Sequence, residues 1–210
     1  MTARAAPFVS IDGPGGAGKS TVAALAAKQL ASRGLPVHPT AEPSPTPLGQ
    51  LIRSGTDIYT GMALACLVAG DRHHHLTAEI RPRLAAGKIV ICDRYIPSSM
   101  VLQRMDGINW DLIMQLNQGA DRPDLAVILN GSPPVIEGRL AARGRHSRFE
   151  RQRGSTQTES GLYRDTIARL TRIGWPVCTI DVTTRSAYEA AMIVTERVVA
   201  LHANAKPEQP

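Results

Sequence analysis

The chain has 210 residues, 43% of them hydrophobic, a formal net charge of +6 and a pI near 9.6. This is enough apolar material for one substantial core, and the charge comes almost entirely from arginine, whose planar fork suits phosphate and carboxylate; with aromatics at only 4% and no aromatic-interleaved basic stripe, a nucleic-acid polymer is not the expected partner. Cys66, Cys92 and Cys178 form no C-x-x-C pair, which excludes a zinc knuckle or a disulfide framework, and no run approaches the roughly eighteen apolar residues of a membrane span, so a soluble protein of a reducing cytoplasm is expected.

An apolar strand over Phe8 to Asp12 opens the chain and leads straight into Gly13-Pro14-Gly15-Gly16-Ala17-Gly18-Lys19-Ser20, followed by Thr21. This is G-x-x-x-x-G-K-S between a strand and a helix. The backbone N–H groups of Gly13, Gly15, Gly16, Ala17 and Gly18 turn toward phosphate oxygens, Lys19 reaches the outer phosphates, and the Ser20 hydroxyl is placed to ligate Mg²⁺. A nucleoside triphosphate is therefore expected to bind here. The helix runs from Lys19 to Ser32 and stops at Gly34.

A strand over Leu35 to Thr40 follows, and four prolines between Pro39 and Pro47 make an extended, stiff loop at its C-terminal end, the edge where open parallel sheets bind ligands. A short helix is expected over Leu48 to Arg53 and a long one over Gly61 to Ala86, kinked by Pro82. The triplet His73-His74-His75 lies in the long helix, where consecutive residues point about 100° apart and cannot share an ion, so a solvated or partly packed helix surface is expected there. Lys88 to Cys92 reads as a buried parallel strand ending in Asp93-Arg94-Tyr95, and a carboxylate at such a tip is the expected Mg²⁺ partner.

Helices over Pro97 to Met105 and Asn109 to Asn117, a strand over Leu125 to Leu129 and a helix over Pro134 to Ala142 come next. Six of the positions from Arg143 to Arg153 are arginine or histidine, a density that repels itself unless anions are near, so this stretch reads as a basic lid over phosphates, spanning about 143–155. A helix over Thr156 to Arg172, a strand over Trp175 to Ile180, a helix over Ser186 to His202 and a disordered tail from Asn204 to Pro210 complete the chain. Five strands alternating with helices give a three-layer α/β fold with a mainly parallel sheet, in a single domain over 1–203.

Four stretches together resemble the thymidylate kinases, P-loop nucleoside-monophosphate kinases. They are the phosphate loop; Glu42-Pro43 with Thr46-Pro47-Leu48-Gly49 and Ile52-Arg53; Gly70-Asp71-Arg72 with Ile80-Arg81-Pro82 and Leu84-Ala85-Ala86-Gly87-Lys88; and Cys92-Asp93-Arg94-Tyr95 with Ser98-Ser99 and Gln103. Arg143-Gly144 and Arg148-Phe149-Glu150 resemble the family's lid. The resemblance implies a sheet of order 2-3-1-4-5 and phosphoryl transfer from ATP, with Mg²⁺, to dTMP or a related pyrimidine nucleotide. It implies that Arg72 bonds the acceptor base beside Ser99, that Arg94 bridges the acceptor phosphate with help from Arg53, that Glu42 and Gln103 line the acceptor site, and that Arg143, Arg145 and Arg148 neutralise the transferring group. Glu150 is implied as a ligand of either the metal or the acceptor sugar. A homodimer packed through the Gly61 to Ala86 helix is also implied.

The chain departs from the family on the acceptor side. Gly15 stands where an acidic residue is usual, Val68 where an aromatic stacks on thymine, Leu102 where a tyrosine excludes the ribose 2′-hydroxyl, and Ala41 where an arginine precedes the Glu-Pro pair. Two other readings compete with a dTMP kinase: a kinase of a modified nucleotide or specialised metabolite, and a nucleotide-binding regulatory protein that keeps the fold without turnover. Asp93-Arg94-Tyr95-Ile96 lacks the glycine of a GTPase switch.

Overall fold

A computed structural model describes residues 6–205. Its parallel sheet is built from β1 (Phe8–Asp12), β2 (Val37–Ala41), β3 (Ile89–Asp93), β4 (Leu125–Asn130) and β5 (Val177–Asp181) in the order β2-β3-β1-β4-β5. The central strands alternate between the two faces. Val9, Ile11, Ile89, Ile91, Val127 and Leu129 enter one apolar cluster, while Phe8, Val90 and Cys92 enter the other. Pro39 sits in β2, at the sheet's edge and exposed, where a missing N–H leaves no gap in the ladder.

On the first face α1 (Lys19–Ser32) and α10 (Ala187–Ala205) pack side by side, burying Val22, Ala26 and Leu30 against Ala191, Val194 and Val198. The second face carries α3 (Gly61–His75), a π-helical turn (Leu76–Ile80), α4 (Arg81–Ala85), α5 (Ile96–Met105) and α6 (Trp110–Leu116), with α2 (Pro47–Gly55) packed on α3. Between β4 and β5 run α7 (Pro133–Arg143), the short α8 (Arg148–Arg151) and α9 (Ser155–Arg172).

The long helix expected over Gly61 to Ala86 is thus continuous but widens at Leu76–Ile80. Pro82 has no N–H for the carbonyl four residues back and its ring crowds that carbonyl, so a wider turn takes the strain without a sharp break. The histidine triplet corrects the surface expectation in part: His74 is exposed and His73 half-buried, but His75 is fully buried. The 100° steps that keep the three apart also turn one of them inward. At the other end, α10 continues through Ala205, beyond the expected His202; the rest of the expected tail lies outside the described residues. Among the described residues no helix is long and apolar enough to cross a membrane.

Candidate active site

The turn after β1 is shaped by glycines at Gly13 (φ 145°), Gly16 (φ 79°) and Gly18 (φ 88°). A Cβ at Gly13 would stand 2.4 Å from the Leu129 carbonyl oxygen, so no other residue lets the loop cross β4 this closely. Gly18 caps α1, which begins at Lys19 and continues through Ser20 and Thr21; Ala17 closes the turn with its N–H on the Pro14 carbonyl at 3.1 Å. Lys19 is buried and donates to the Pro14 carbonyl at 2.7 Å. Burial, together with repulsion from Arg94, lowers its pKa to about 7 against the pull of Glu159 and Asp93.

Ser20 Oγ donates to Asp93 Oδ2 at 2.5 Å, which brings the two expected metal ligands together. The other oxygen, Asp93 Oδ1, is buried and has no hydrogen-bond partner among the described residues. A hydroxyl beside a free carboxylate oxygen is a hard oxygen set of the kind Mg²⁺ takes while keeping most of its waters.

Asp12, at the tip of β1, organises the neighbouring strand end. Its Oδ1 accepts from the Tyr95 N–H at 2.9 Å, the Ser98 N–H at 3.0 Å and the Ser98 hydroxyl at 2.7 Å, and its Oδ2 accepts from Ser10 at 2.8 Å. Burial raises its pKa despite these bonds. Between Asp93 and Tyr95 the chain passes through Arg94 at φ 73°, a left-handed conformation that costs an ordinary residue about 1–2 kcal/mol. The Arg94 N–H on the Ile11 carbonyl (2.9 Å) and the Asp12 bonds to Tyr95 and Ser98 that follow it hold it there. The guanidinium is left with a buried Nη1 that lacks a partner among the described residues. Burial works against its charge, but Tyr163, Asp93, Glu159 and Asp12 outweigh it and push its pKa up.

Beside the loop opens a cleft of about 290 Å³. Gly15, Arg53, Arg94 and Glu159 lie along it with Glu42, Arg72, Ser99 and Gln103, and Ile52, Leu64, Val68, Leu102 and Phe149 supply its apolar lining. All the residues expected at the acceptor site, Glu42, Arg53, Val68, Arg72, Arg94, Ser99, Leu102, Gln103 and Glu150, therefore line one cavity. Arg72 is fully buried: Nε donates to Glu42 at 2.8 Å, Nη1 to Asn117 at 2.5 Å and Nη2 to Ser99 at 2.8 Å, with its guanidinium 5.1 Å from the Tyr95 ring centre. The Gln103 Oε1 is buried with no partner among the described residues. Arg53 donates to the Pro43 carbonyl. Behind the cleft, donor atoms of Glu42, His75 and Cys92 lie within 4.8 Å of one another, with the second Glu42 oxygen held by Arg72.

The expected lid arginines stand apart from the cleft lining. Arg143 bonds Glu150 at 2.8 Å, and Arg145 bonds Glu137 and the Glu150 carbonyl. Arg148 faces the acceptor side, gripping Asp106 with both terminal nitrogens at 2.8 and 2.6 Å and the Thr56 carbonyl at 2.7 Å. Glu150 closes on the phosphate loop; a Cβ at Gly15 would lie 2.7 Å from its Oε1, so lid carboxylate fills the space beside that glycine. Burial presses the Glu150 pKa upward, but the His146 N–H and Arg143 prevail and hold it below the usual carboxylate range.

Sequence reasoning missed Asp12, Asn117, Phe149 as a cleft residue, and Glu159. Glu159 is buried on α9 and accepts the Gly15 N–H at 3.2 and 3.1 Å. Burial raises its pKa against the attraction of Lys19 and Arg94.

Residues 11–190 match the thymidylate kinase family. The probable thymidylate kinase of Caldivirga maquilingensis is 38% identical over 161 residues, covering 74% of this chain and 78% of the relative. That of Pyrococcus abyssi is 40% identical over 154 residues (69% and 74%), and the thymidylate kinase of Xanthomonas oryzae pv. oryzae 37% over 139 residues (65% and 61%). With this match spanning the phosphate loop, the Arg94 turn and the cleft between them, the chain belongs to the thymidylate kinase family.

Proposed function

We propose that the protein transfers the γ-phosphoryl group of ATP to the 5′-phosphate of dTMP, releasing ADP and dTDP. The observation that carries this reading is the strained Arg94, whose guanidinium sits with Lys19 and Glu159 between the phosphate loop and a cleft floored by Arg72, Ser99 and Gln103. The loop holds the donor phosphates and Lys19 draws on the outer ones. Arg94, with Arg53, holds the acceptor phosphate in line, since a loose phosphoryl transition state needs position and positive charge more than covalent help. Mg²⁺ held by Ser20 and Asp93 would neutralise charge on the donor phosphates. Arg72 and Gln103 read the base edge, Ser99 fixing the Arg72 fork.

Residues 143–155 act as the lid. Arg143 and Arg145 bring positive charge toward the transferring group, Glu150 lies on the acceptor side of the loop, and Arg148 fastens the lid to Asp106. The aliphatic Val68 and Leu102 in the cleft favour a second reading within this chemistry, a pyrimidine kinase with weak discrimination against ribose. An ADP-release assay across all common nucleoside monophosphates tests both. Turnover of dTMP alone supports the first, comparable turnover of dTMP and ribose pyrimidines the second, and none with any pyrimidine nucleotide refutes both.

The protein is further proposed to work as a homodimer in the cytoplasm. The support is the exposed side of α3, where Met62, Ala63 and Cys66 present an apolar strip to solvent. Met62→Glu should convert a dimer to a monomer in sedimentation velocity; a monomeric native protein would overturn the proposal.

A further inference from the structure

The walls that α2, α3 and α5 give the cleft are aliphatic: Ile52, Leu64, Val68 and Leu102. A planar base between such walls gains contact but no aromatic face. Tyr95 does not supply one, because its ring is fully buried under the Arg72 guanidinium and meets Phe8 edge-on. Besides the small His146 imidazole, the lining carries one further aromatic ring, that of Phe149, which reaches the cleft from α8.

Phe149 is 6% exposed and forms a buried cluster with Ile52 and Leu64, against which Val68 and Leu102 also pack. Its orientation is imposed from outside the cleft. The Arg148 guanidinium lies over the ring, 4.3 Å from its centre, and is itself pinned by both oxygens of Asp106 and by the Thr56 carbonyl. A fixed cation over a ring is worth having for its own attraction, and here it also removes the ring's freedom to swing away.

We infer that Phe149 is the aromatic wall of the acceptor-base site, delivered by the lid in place of the helix position held by Val68, with Arg148 and Asp106 as positioning residues. This deepens the proposed function and rests on the reading that the cleft takes a pyrimidine nucleoside monophosphate. The consequence is that base recognition and lid closure are one event: an acceptor meets its full site only with α8 seated.

The test uses the full-length protein with Phe149→Ala, Phe149→Leu, Asp106→Asn and the double variant Phe149→Ala/Val68→Phe. Calorimetric dTMP and UMP affinity is measured without donor, and kcat and both KM values are measured with ATP. Phe149→Leu keeps an apolar plug and removes the π face, so it separates recognition from packing, and thermal melts confirm that each variant folds. Both Phe149 variants are expected to weaken acceptor binding and raise acceptor KM about tenfold, the ATP KM staying within about twofold. Val68→Phe is expected to recover part of the affinity lost in Phe149→Ala. Asp106→Asn is expected to move acceptor KM in the same direction, and a further double variant, Asp106→Asn/Phe149→Ala, to raise it little beyond Phe149→Ala alone. Wild-type acceptor affinity in Phe149→Leu, or a fall in kcat with acceptor affinity unchanged, would overturn the inference and leave the kinase reading intact. A native protein that binds no pyrimidine monophosphate would overturn both.

Discussion

Asp12 joins one strand tip to the next by accepting four hydrogen bonds, one from Tyr95 in the turn that carries Arg94 and two from Ser98 in the first turn of α5. Asp12→Ala leaves the buried Tyr95 N–H unpaired and the Ser98 N–H with only the Tyr95 carbonyl at 3.1 Å, and should cost about 2 kcal/mol or more in a denaturant titration. Asp12→Asn keeps the accepting oxygen and discards a charge that burial disfavours, so it should be near neutral or stabilising; a loss equal to that of the alanine variant would contradict the account. Lys19 makes a pH prediction. Its folded pKa of about 7 lies below its ordinary 10.5, so below pH 7 both folded and unfolded chains carry the charge and the fold bears the full burial cost. Between these values the unfolded chain binds more protons, and the group's contribution to stability grows as pH rises. A triphosphate against Nζ restores the proton, so ATP binding at pH 8 should take up roughly one proton, read as a dependence of binding enthalpy on buffer ionisation. An enthalpy independent of buffer would refute it. The placing of Lys19, Ser20 and Asp93 around the phosphate loop was legible because each belongs to a short motif whose meaning is local, whereas Arg94 was singled out through the family resemblance. Asp12 and Glu159 were not legible: their partners lie 83 to 86 and 144 positions away, distances that no local pattern encodes.

The elements around the site differ in how firmly they are tied. The loop expected to run extended through four prolines is shorter and bent, with Pro39 taken into β2 and Pro47 into α2, and its placement depends on Asp71, which accepts the Ser44 N–H at 2.7 Å and the Ser44 hydroxyl at 2.5 Å from inside α3. Lid attachment divides in the same way between a sheltered tie and an exposed one. The Arg148–Asp106 pair is largely shielded, with side chains 18% and 5% exposed, whereas the Arg151–Asp57 pair stands in solvent at 46% and 62%. An exposed pair contributes between nothing and about 1 kcal/mol, while loss of one member of a sheltered bidentate pair leaves a charge without its counterpart. Amide exchange over residues 144–154 should therefore quicken in Asp106→Asn and scarcely change in Asp57→Asn. Equal effects in the two variants would show that the lid is not fastened where the geometry places the fastening. The basic run alone pointed to phosphates, because charge density does not reveal that Arg143, Arg145 and Arg148 have carboxylates of their own chain at hand.

Across the whole molecule, the alternation of strands with helices was enough for a three-layer α/β architecture, while the order β2-β3-β1-β4-β5 came from family resemblance and not from any pattern in the residues. Order is set by which crossover covers which face, a long-range choice that runs of Val and Ile leave open. The departures at Gly15, Val68 and Leu102 were visible as substitutions. That Glu150 fills the space beside the first of them, and Phe149 the wall beside the other two, depends on a segment more than forty positions further along the chain, brought over the cleft by α8. The same small helix touches donor loop and acceptor wall at once. If release of both products requires α8 to lift from the loop and the cleft together, uncovering, more than bond-making, should pace the enzyme. Rapid-quench mixing with saturating ATP and dTMP should register a first turnover faster than those that follow, and Asp106→Asn should shrink that burst by speeding the later ones. A linear time course in the native protein would place the slow step in the chemistry.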